Sequence, residues 1–476
     1  MRERNRFRVM AAACVLLAAG VAHAQCVTAE SVISSAGSFP SRVAGPIATN
    51  GTIAGLAKSD VTTATPAIFF ATYNANLNPL TADRQIADAS ANGATALIWN
   101  GSEFALFYQT PGFIPAFQRI DASGNPIGGP IAIANHPSSS DDEFDVAWSP
   151  VRNAYGIART VSLGVDRGLW LTVVSPQGAV LSDPLFSLFI ATPVSPRVTA
   201  LPDGSFAVAW MRTGSDIRSL ALTIVTPTGA VLSNTVSERN VLGARLATDG
   251  NTILVIFSAT TTTGSELRFA QFGLTANKII SDSPFITGSG SDVLPLQLQW
   301  NPTLGEWTLV YSDAAFGFNF PGATRLRHFA SLTATPSDTL LSPDPIHSRL
   351  TAPYPIVFLG GGYIASIQRI ISRQEGSESY LIKTCPFFVT ASATPTVVRP
   401  FVPVTFTATP SGGTPGFEYQ WQFGDNDVLK GQTVQHFYNL PGTYTVTLTG
   451  TDAAGAVSIT HTTVVVGIGK QRAVRH

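Results

Sequence analysis

Few residues of this 476-residue chain have types and spacings that could do chemistry, and those few point to binding. Phe316, Phe318 and Phe320 alternate along the Gly-containing stretch 312–325, and Phe113 lies on a comparable stretch, 109–117. Displayed aromatic rings stack on sugars or anchor a protein partner; packed down, they only hold a loop to its own sheet. Arg212 and Arg218 would meet an acidic ligand, or form a surface pair with Asp216. Asp141, Asp142 and Glu143 close an acidic run after Ser138-Ser139-Ser140, and their hard oxygens suit Ca²⁺. A solvated turn is the plainer reading of that run, so a Ca²⁺ cofactor rests on it alone and no other cofactor is indicated. His136, His328, His347, His436 and His461 are scattered without metal-ligand spacing. The chain holds no His-Glu-x-x-His, no Gly-x-Ser-x-Gly and no phosphate-binding Gly-rich loop. No catalytic residue is identified, although a site assembled from distant segments escapes any spacing rule.

The elements that must position these residues announce themselves by repetition. Ser175-Pro176-Gln177-Gly178-Ala179-Val180-Leu181-Ser182 returns as Thr226-Pro227-Thr228-Gly229-Ala230-Val231-Leu232-Ser233. Weaker relatives start at Asp121, Leu274 and Thr335. Each follows another hairpin pattern, apolar residues alternating around Asn50-Gly51, Asn100-Gly101, Asp203-Gly204 or Asp249-Gly250. Two hairpins per unit of about 50 residues describe a four-stranded propeller blade. Unit starts near residues 47, 97, 146, 198, 246, 298 and 356 predict an all-β, seven-bladed propeller over residues 25–385. Trp99, Trp148 and Trp300 recur at equivalent positions, as core packing requires. The last unit lacks a fourth strand, and Ala29–Ala36 has no unit of its own, so the N-terminal strand is expected to complete the last blade. That places Cys26 beside Cys385 and predicts a disulfide between them.

Residues 1–24 read as a secretory signal peptide. Arg2, Arg4, Arg6 and Arg8 precede the apolar run from Val9 to Val21, and Ala22-His23-Ala24 offers cleavage after Ala24. The run is too short to span a bilayer, and no later one is long enough, so no transmembrane segment is expected. The leader takes four of the 29 basic residues and one of the 30 acidic ones, leaving a mildly acidic mature chain. Only 12% of residues are charged, and the basic tail 468–476 is short, so no basic face exists for nucleic acid. The expected location is outside the cell, secreted or at the cell surface, with the periplasm as the remaining option.

The composition changes at Pro386. Tyr419-Gln420-Trp421-Gln422-Phe423-Gly424-Asp425, then His436-Phe437-Tyr438, then Pro441-Gly442-Thr443-Tyr444, follow in the order and spacing of the PKD (polycystic kidney disease) family. Residues 386–467 resemble a PKD domain, an immunoglobulin-like β-sandwich. The resemblance implies structural roles for Trp421, Phe423, Gly424, Asp425, His436, Tyr438, Pro441, Gly442 and Tyr444. Gln422 stands where the family usually has Asp, and Asn426 where it usually has Gly, which alters that loop without threatening the fold. The family implies a spacer or interaction module and no catalysis. The repeat region resembles secreted bacterial β-propeller proteins in general and no named propeller family.

Together these features predict a secreted, non-enzymatic protein that binds an extracellular glycan or protein; the residues leave its oligomeric state open. Two alternatives stand beside it. One is a polysaccharide-active hydrolase or lyase with a site drawn from several blades; the other is a structural component of the cell surface.

Overall fold

The computed structural model describes residues 27–34, 43–60, 66–89, 94–133, 143–163, 166–183, 185–189, 194–213, 217–262, 264–286, 291–302, 304–315, 323–329, 331–332, 337–340, 356–359, 362–372, 376–384, 387–411, 416–452 and 457–467. Among them every regular element is a β-strand. Two compact units form, one built from residues 29–334 with 340–383, the other from 384–476.

Hairpins of the first unit grow from turns that their own side chains close. Asn50 Oδ1 accepts from the backbone N–H of Thr52 and Ile53, and Asn100 Oδ1 from Ser102 and Glu103. Asp203 and Asp249 do the same for Ser205 and for Asn251 and Thr252. Such turns form locally and set the register of the strands that flank them. The doubled phrase closes its turn with one bonding pattern in both copies. Gly178 N–H donates to Ser175 O and Ser175 N–H to Ala179 O, as Gly229 does to Thr226 and Thr226 to Ala230. Gly178 and Gly229 sit at φ 89° and 83°, a region costly for any side chain. In the corresponding turn of the next sheet, Ala276 carries that cost at φ 62°.

These hairpins assemble seven sheets. Sheet I is Val43–Thr49, Ala54–Asp60, Ala67–Tyr73 and Arg84–Asp88. Sheet II is Ala94–Trp99, Phe104–Gln109, Pro115–Ile120 and Pro126–Ala132. Sheet III is Phe144–Ser149, Ala154–Leu163 and Asp166–Val174, with an outer strand in two pieces, Val180–Ser182 and Leu185–Phe189. Sheet IV is Val194–Ala200, Phe206–Thr213, Arg218–Val225 and Val231–Ser237. Sheet V is Val241–Thr248, Thr252–Thr260, Ser265–Gly273 and Lys278–Ile286. Sheet VI is Ser291–Asn301, Glu306–Ala315, Ala323–Phe329 and Ser337–Leu340. Sheet VII is Ile356–Leu359, Gly362–Ser372 and Gly376–Thr384, and its fourth strand is Val27–Ser34, beside Gly376–Thr384.

Strands whose side chains alternate between two apolar faces must be covered on both, and consecutive sheets cover each other. Phe70 of sheet I packs with Phe104 of sheet II, Phe107 with Tyr155 of sheet III, and Leu171 with Phe206 of sheet IV. Gly156 is fixed by this stacking, since a Cβ there would lie 2.4 Å from the Phe206 ring. Leu222 and Phe257 share the core between sheets IV and V, Ile256 and Leu309 that between V and VI. Gln297 of sheet VI bonds both the N–H (2.5 Å) and the C=O (3.3 Å) of Ile356 in sheet VII. Val357 and Leu381 of sheet VII pack with Leu56 of sheet I, so the last sheet also meets the first. Trp99, Trp148 and Trp300 each pack, half-buried, on the residue paired with them across the first hairpin: Phe104 (4.8 Å), Tyr155 (4.8 Å) and Trp307 (5.1 Å).

The second unit is two sheets over one core. Phe388–Thr394, Val404–Ser411 and Thr433–His436 form one. Val397–Val398, Val457–Val466, Gly442–Thr451, Glu418–Gln422 and Val428–Lys430 form the other. Trp421, Phe423, Phe406, Tyr438 and Leu448 are fully buried between them. Tyr444, expected in this core, is half-buried: it stacks on Tyr438 at 4.1 Å and donates its hydroxyl to Leu440 O across the Pro441-Gly442 turn.

Candidate functional site

The residues singled out from sequence do not gather in one place. Phe316, Phe318, Phe320, Asp141, Asp142, Ala24, Cys26 and Cys385 lie outside the described residues. Phe113 is half-buried at the turn of its hairpin, its N–H bonded to Thr110 O, and its φ of 60° is strained for a phenylalanine. Arg212 lies over the Trp210 ring at 5.2 Å, whereas Arg218 is exposed and bonds Asn240 through its backbone. The register pairs Arg212 with Ser219 and Thr213 with Arg218, which puts the two arginines on opposite faces of sheet IV. They cannot close on one ligand. Glu143 is exposed, and its backbone is bonded in both directions to Thr160.

The structure brings together two constellations that spacing could not reveal. In the first, Asn301 Nδ2 donates to the Tyr363 hydroxyl at 2.7 Å, Thr308 Oγ1 lies 2.8 Å from it, and that hydroxyl approaches Glu306 Oε1 at 3.3 Å. His328 Nδ1 is 3.0 Å from the same Glu306 oxygen. Burial, and after it the Glu306 charge, pushes the Tyr363 hydroxyl pKa well up. A glutamate, a histidine and a tyrosine in contact form a set that could move protons.

A set of the same kind stands at the boundary between sheets II and III. Asn100 Nδ2 donates to the Tyr155 hydroxyl at 2.9 Å, and Glu103 is held by Arg119 through Nε at 2.7 Å and Nη2 at 2.9 Å. Arg119 and His328 occupy equivalent places: each is paired with the second residue after the glutamate, Ala105 and Thr308 respectively. Burial raises the Tyr155 hydroxyl pKa as it does that of Tyr363. The hydrogen bond from Glu103 raises the Arg119 pKa, so that guanidinium stays charged, and what the two constellations share is the bond from a turn asparagine to a tyrosine. Each fastens a tyrosine of one sheet to the first turn of the sheet before it.

A further polar row runs along first strands. Asp145 of sheet III accepts the Val198 N–H of sheet IV through Oδ2 at 2.9 Å. Arg197 of sheet IV donates from Nη1 to Pro196 O at 2.9 Å, and among the described residues its Nε has no hydrogen-bond partner. Arg245 of sheet V reaches sheet VI, donating from Nε to Leu296 O at 2.5 Å and from Nη1 to Ala244 O at 2.7 Å. Burial, then the Arg197 charge, pulls the Arg245 guanidinium down to about 9, against the pull of Asp145 and Glu143. Gln297 completes the row with its bonds to Ile356.

In the second unit His436 is 7% exposed and stacked on Phe423 at 4.1 Å. Its Nε2 is 2.8 Å from Asp425 Oδ2, and its Nδ1 is 3.9 Å from Asp427 Oδ2. The three ligand atoms lie within 4.8 Å of one another. Asp425 also accepts the Asp427 N–H, and Asn426 between them takes φ 80°, the conformation a glycine would adopt there more cheaply. The group ties the loop to the strand of His436.

Comparison with solved structures finds loose likenesses. A prolyl endopeptidase is 11% identical over 79% of this chain and 53% of its own, with a TM-score of 0.46; the chain thus spans about half its length. The polysaccharide lyase Uly1 is 8% identical over 71% of this chain and 89% of its own, with a TM-score of 0.48. No curated protein matches the sequence. The PKD domain of the human VPS10 domain-containing receptor SorCS2 is 23% identical over 18% of this chain and 82% of its own, with a TM-score of 0.16. The PKD domain family matches residues 389–466, the span in which the Trp421, His436 and Tyr444 motifs were found. The chain carries a C-terminal PKD domain.

Proposed function

We propose that the chain is a secreted, non-enzymatic binding protein in which a closed seven-bladed β-propeller takes up an extracellular glycan or protein ligand. The PKD domain serves as spacer or interaction module, in keeping with a family typical of extracellular proteins. One observation supports the non-enzymatic reading: the Glu306–His328–Tyr363 set has a twin, Glu103–Arg119–Tyr155, in which arginine stands in the place of the histidine while the link from tyrosine to turn is kept. A constellation that keeps its asparagine-to-tyrosine bond when histidine gives way to arginine is one that holds neighbouring sheets together.

Closure is supported by the packing of sheet VII on sheet I and by the N-terminal strand beside Gly376–Thr384. A propeller closed this way needs a fastening where its ends meet. Val27 opens the N-terminal strand and Thr384 ends its neighbour, so a Cys26–Cys385 disulfide is the natural clasp. In the loop-entropy account such a long closure is worth about 5 kcal/mol. Among the described residues no helix is long and apolar enough to cross a membrane.

Applied to a glycan array and to culture supernatant, the full-length protein is expected to retain a defined ligand and return it unchanged. Release of new reducing ends or unsaturated sugars from a retained polysaccharide would replace this reading with the enzymatic one.

A further inference from the structure

We propose that Arg197 and Arg245 form a carboxylate-binding site in the middle of the propeller, taking a uronic-acid residue of an acidic glycan. The proposal rests on the propeller reading above, which makes the first strands of the sheets its innermost strands.

Arg197 and Arg245 lie on neighbouring first strands, Val194–Ala200 and Val241–Thr248. Both residues are half-buried, with Arg197 Nε shielded from solvent, while Val198, Ala244 and Leu246 beside them are buried. Among the described residues their side-chain hydrogen bonds go to backbone carbonyls, which carry no formal charge. Among the described residues neither guanidinium has a carboxylate within the 4.0 Å of an ion pair. Each guanidinium has five N–H donors in a fixed fork, and these bonds leave donors over on both. Burial, and after it the Arg197 charge, holds the Arg245 guanidinium below its ordinary range, in keeping with two positive charges on neighbouring strands. A carboxylate between them would relieve that repulsion and accept paired, charge-assisted hydrogen bonds.

The neighbouring wall selects against a bare anion. Asp145 of sheet III and Glu143, just before that strand, both act on Arg245 with negative charge. They repel a free oxyanion but accept hydrogen bonds from hydroxyl groups. A ligand with one carboxylate and several hydroxyls answers both sides, and a uronic acid within a glycan chain is such a ligand.

The test is calorimetric titration of the full-length protein with oligogalacturonate, oligoglucuronate and oligomannuronate, each also as its methyl ester, with sodium sulfate as the simple anion. At least one of the three acids is expected to bind, and its methyl ester to bind about 30-fold more weakly, as the loss of a charge-assisted pair implies. Arg197→Gln is expected to cause the same loss without shifting the melting temperature, because that guanidinium fastens no other sheet. Arg245→Lys keeps the charge but not the fork, and is expected to weaken the acid and spare the ester. Failure of all three acids and of sulfate to bind overturns the site, as does an acid that binds equally to Arg197→Gln. Sulfate binding lost in Arg197→Gln, with no uronate bound, overturns the sugar assignment. A neutral glycan or a protein retained in the array would leave the broader binding function standing in each of these cases.

Discussion

Trp421→Ala is expected to unfold the PKD domain and leave the melting of the seven-sheet unit unchanged. The Trp421 side chain is fully buried, and its Nε1–H donates to Gly431 O at 3.0 Å. Its ring lies 5.5 Å from that of Phe406, and its backbone is paired on both sides, with Leu429 and with Leu448. Removing a buried aromatic of this size costs about 3–5 kcal/mol, and leaving Gly431 O without its donor adds about 1 kcal/mol more. A small domain holds roughly 5–10 kcal/mol in all, so the variant stands at the edge of folding. Calorimetry of the full-length protein should show the transition of the smaller unit lost or moved far down. Two unmoved transitions would mean that Trp421 is not the core of that unit.

Tyr155→Ala is expected to cost the seven-sheet unit about 3–5 kcal/mol, and Tyr155→Phe about 1 kcal/mol. The ring is fully buried among Phe107 (5.1 Å), Phe117 (5.7 Å) and Trp148 (4.8 Å). Those partners come from sheets II and III, so alanine opens a cavity at their boundary. Phenylalanine keeps the packing and removes only the acceptor for Asn100 Nδ2, which can turn to solvent at the turn it caps. Urea midpoints of the two variants should therefore differ widely. Equal losses would assign the stability to the hydrogen bond and contradict a packing role.

What could be read from the sequence follows from how far apart the cooperating residues are. Asn100 and its Gly101 turn, or the doubled phrase at Ser175 and Thr226, act within a few residues, and their patterns are visible in the chain. The PKD motifs were equally legible because Trp421, His436 and Tyr444 stand at fixed separations. The short strands Val397–Val398 and Val428–Lys430 gave no periodicity to detect. Arg212 and Arg218 looked like partners by proximity, but the hairpin register turns them to opposite faces. Arg197 and Arg245 come onto neighbouring first strands only because sheets IV and V stack, and no local pattern carries that. The Tyr155 latch was hidden for the same reason, since its asparagine, glutamate and arginine belong to the preceding sheet.

The central claim is that the N-terminal strand closes the assembly by completing the last sheet, and amide hydrogen exchange read by mass spectrometry tests it most directly. Peptides covering 27–34 and 376–384 should be as protected as those covering 362–372, and protection of all three should be lost together as denaturant rises. Exchange of 27–34 at the rate of unstructured chain, with 362–372 still protected, would contradict closure.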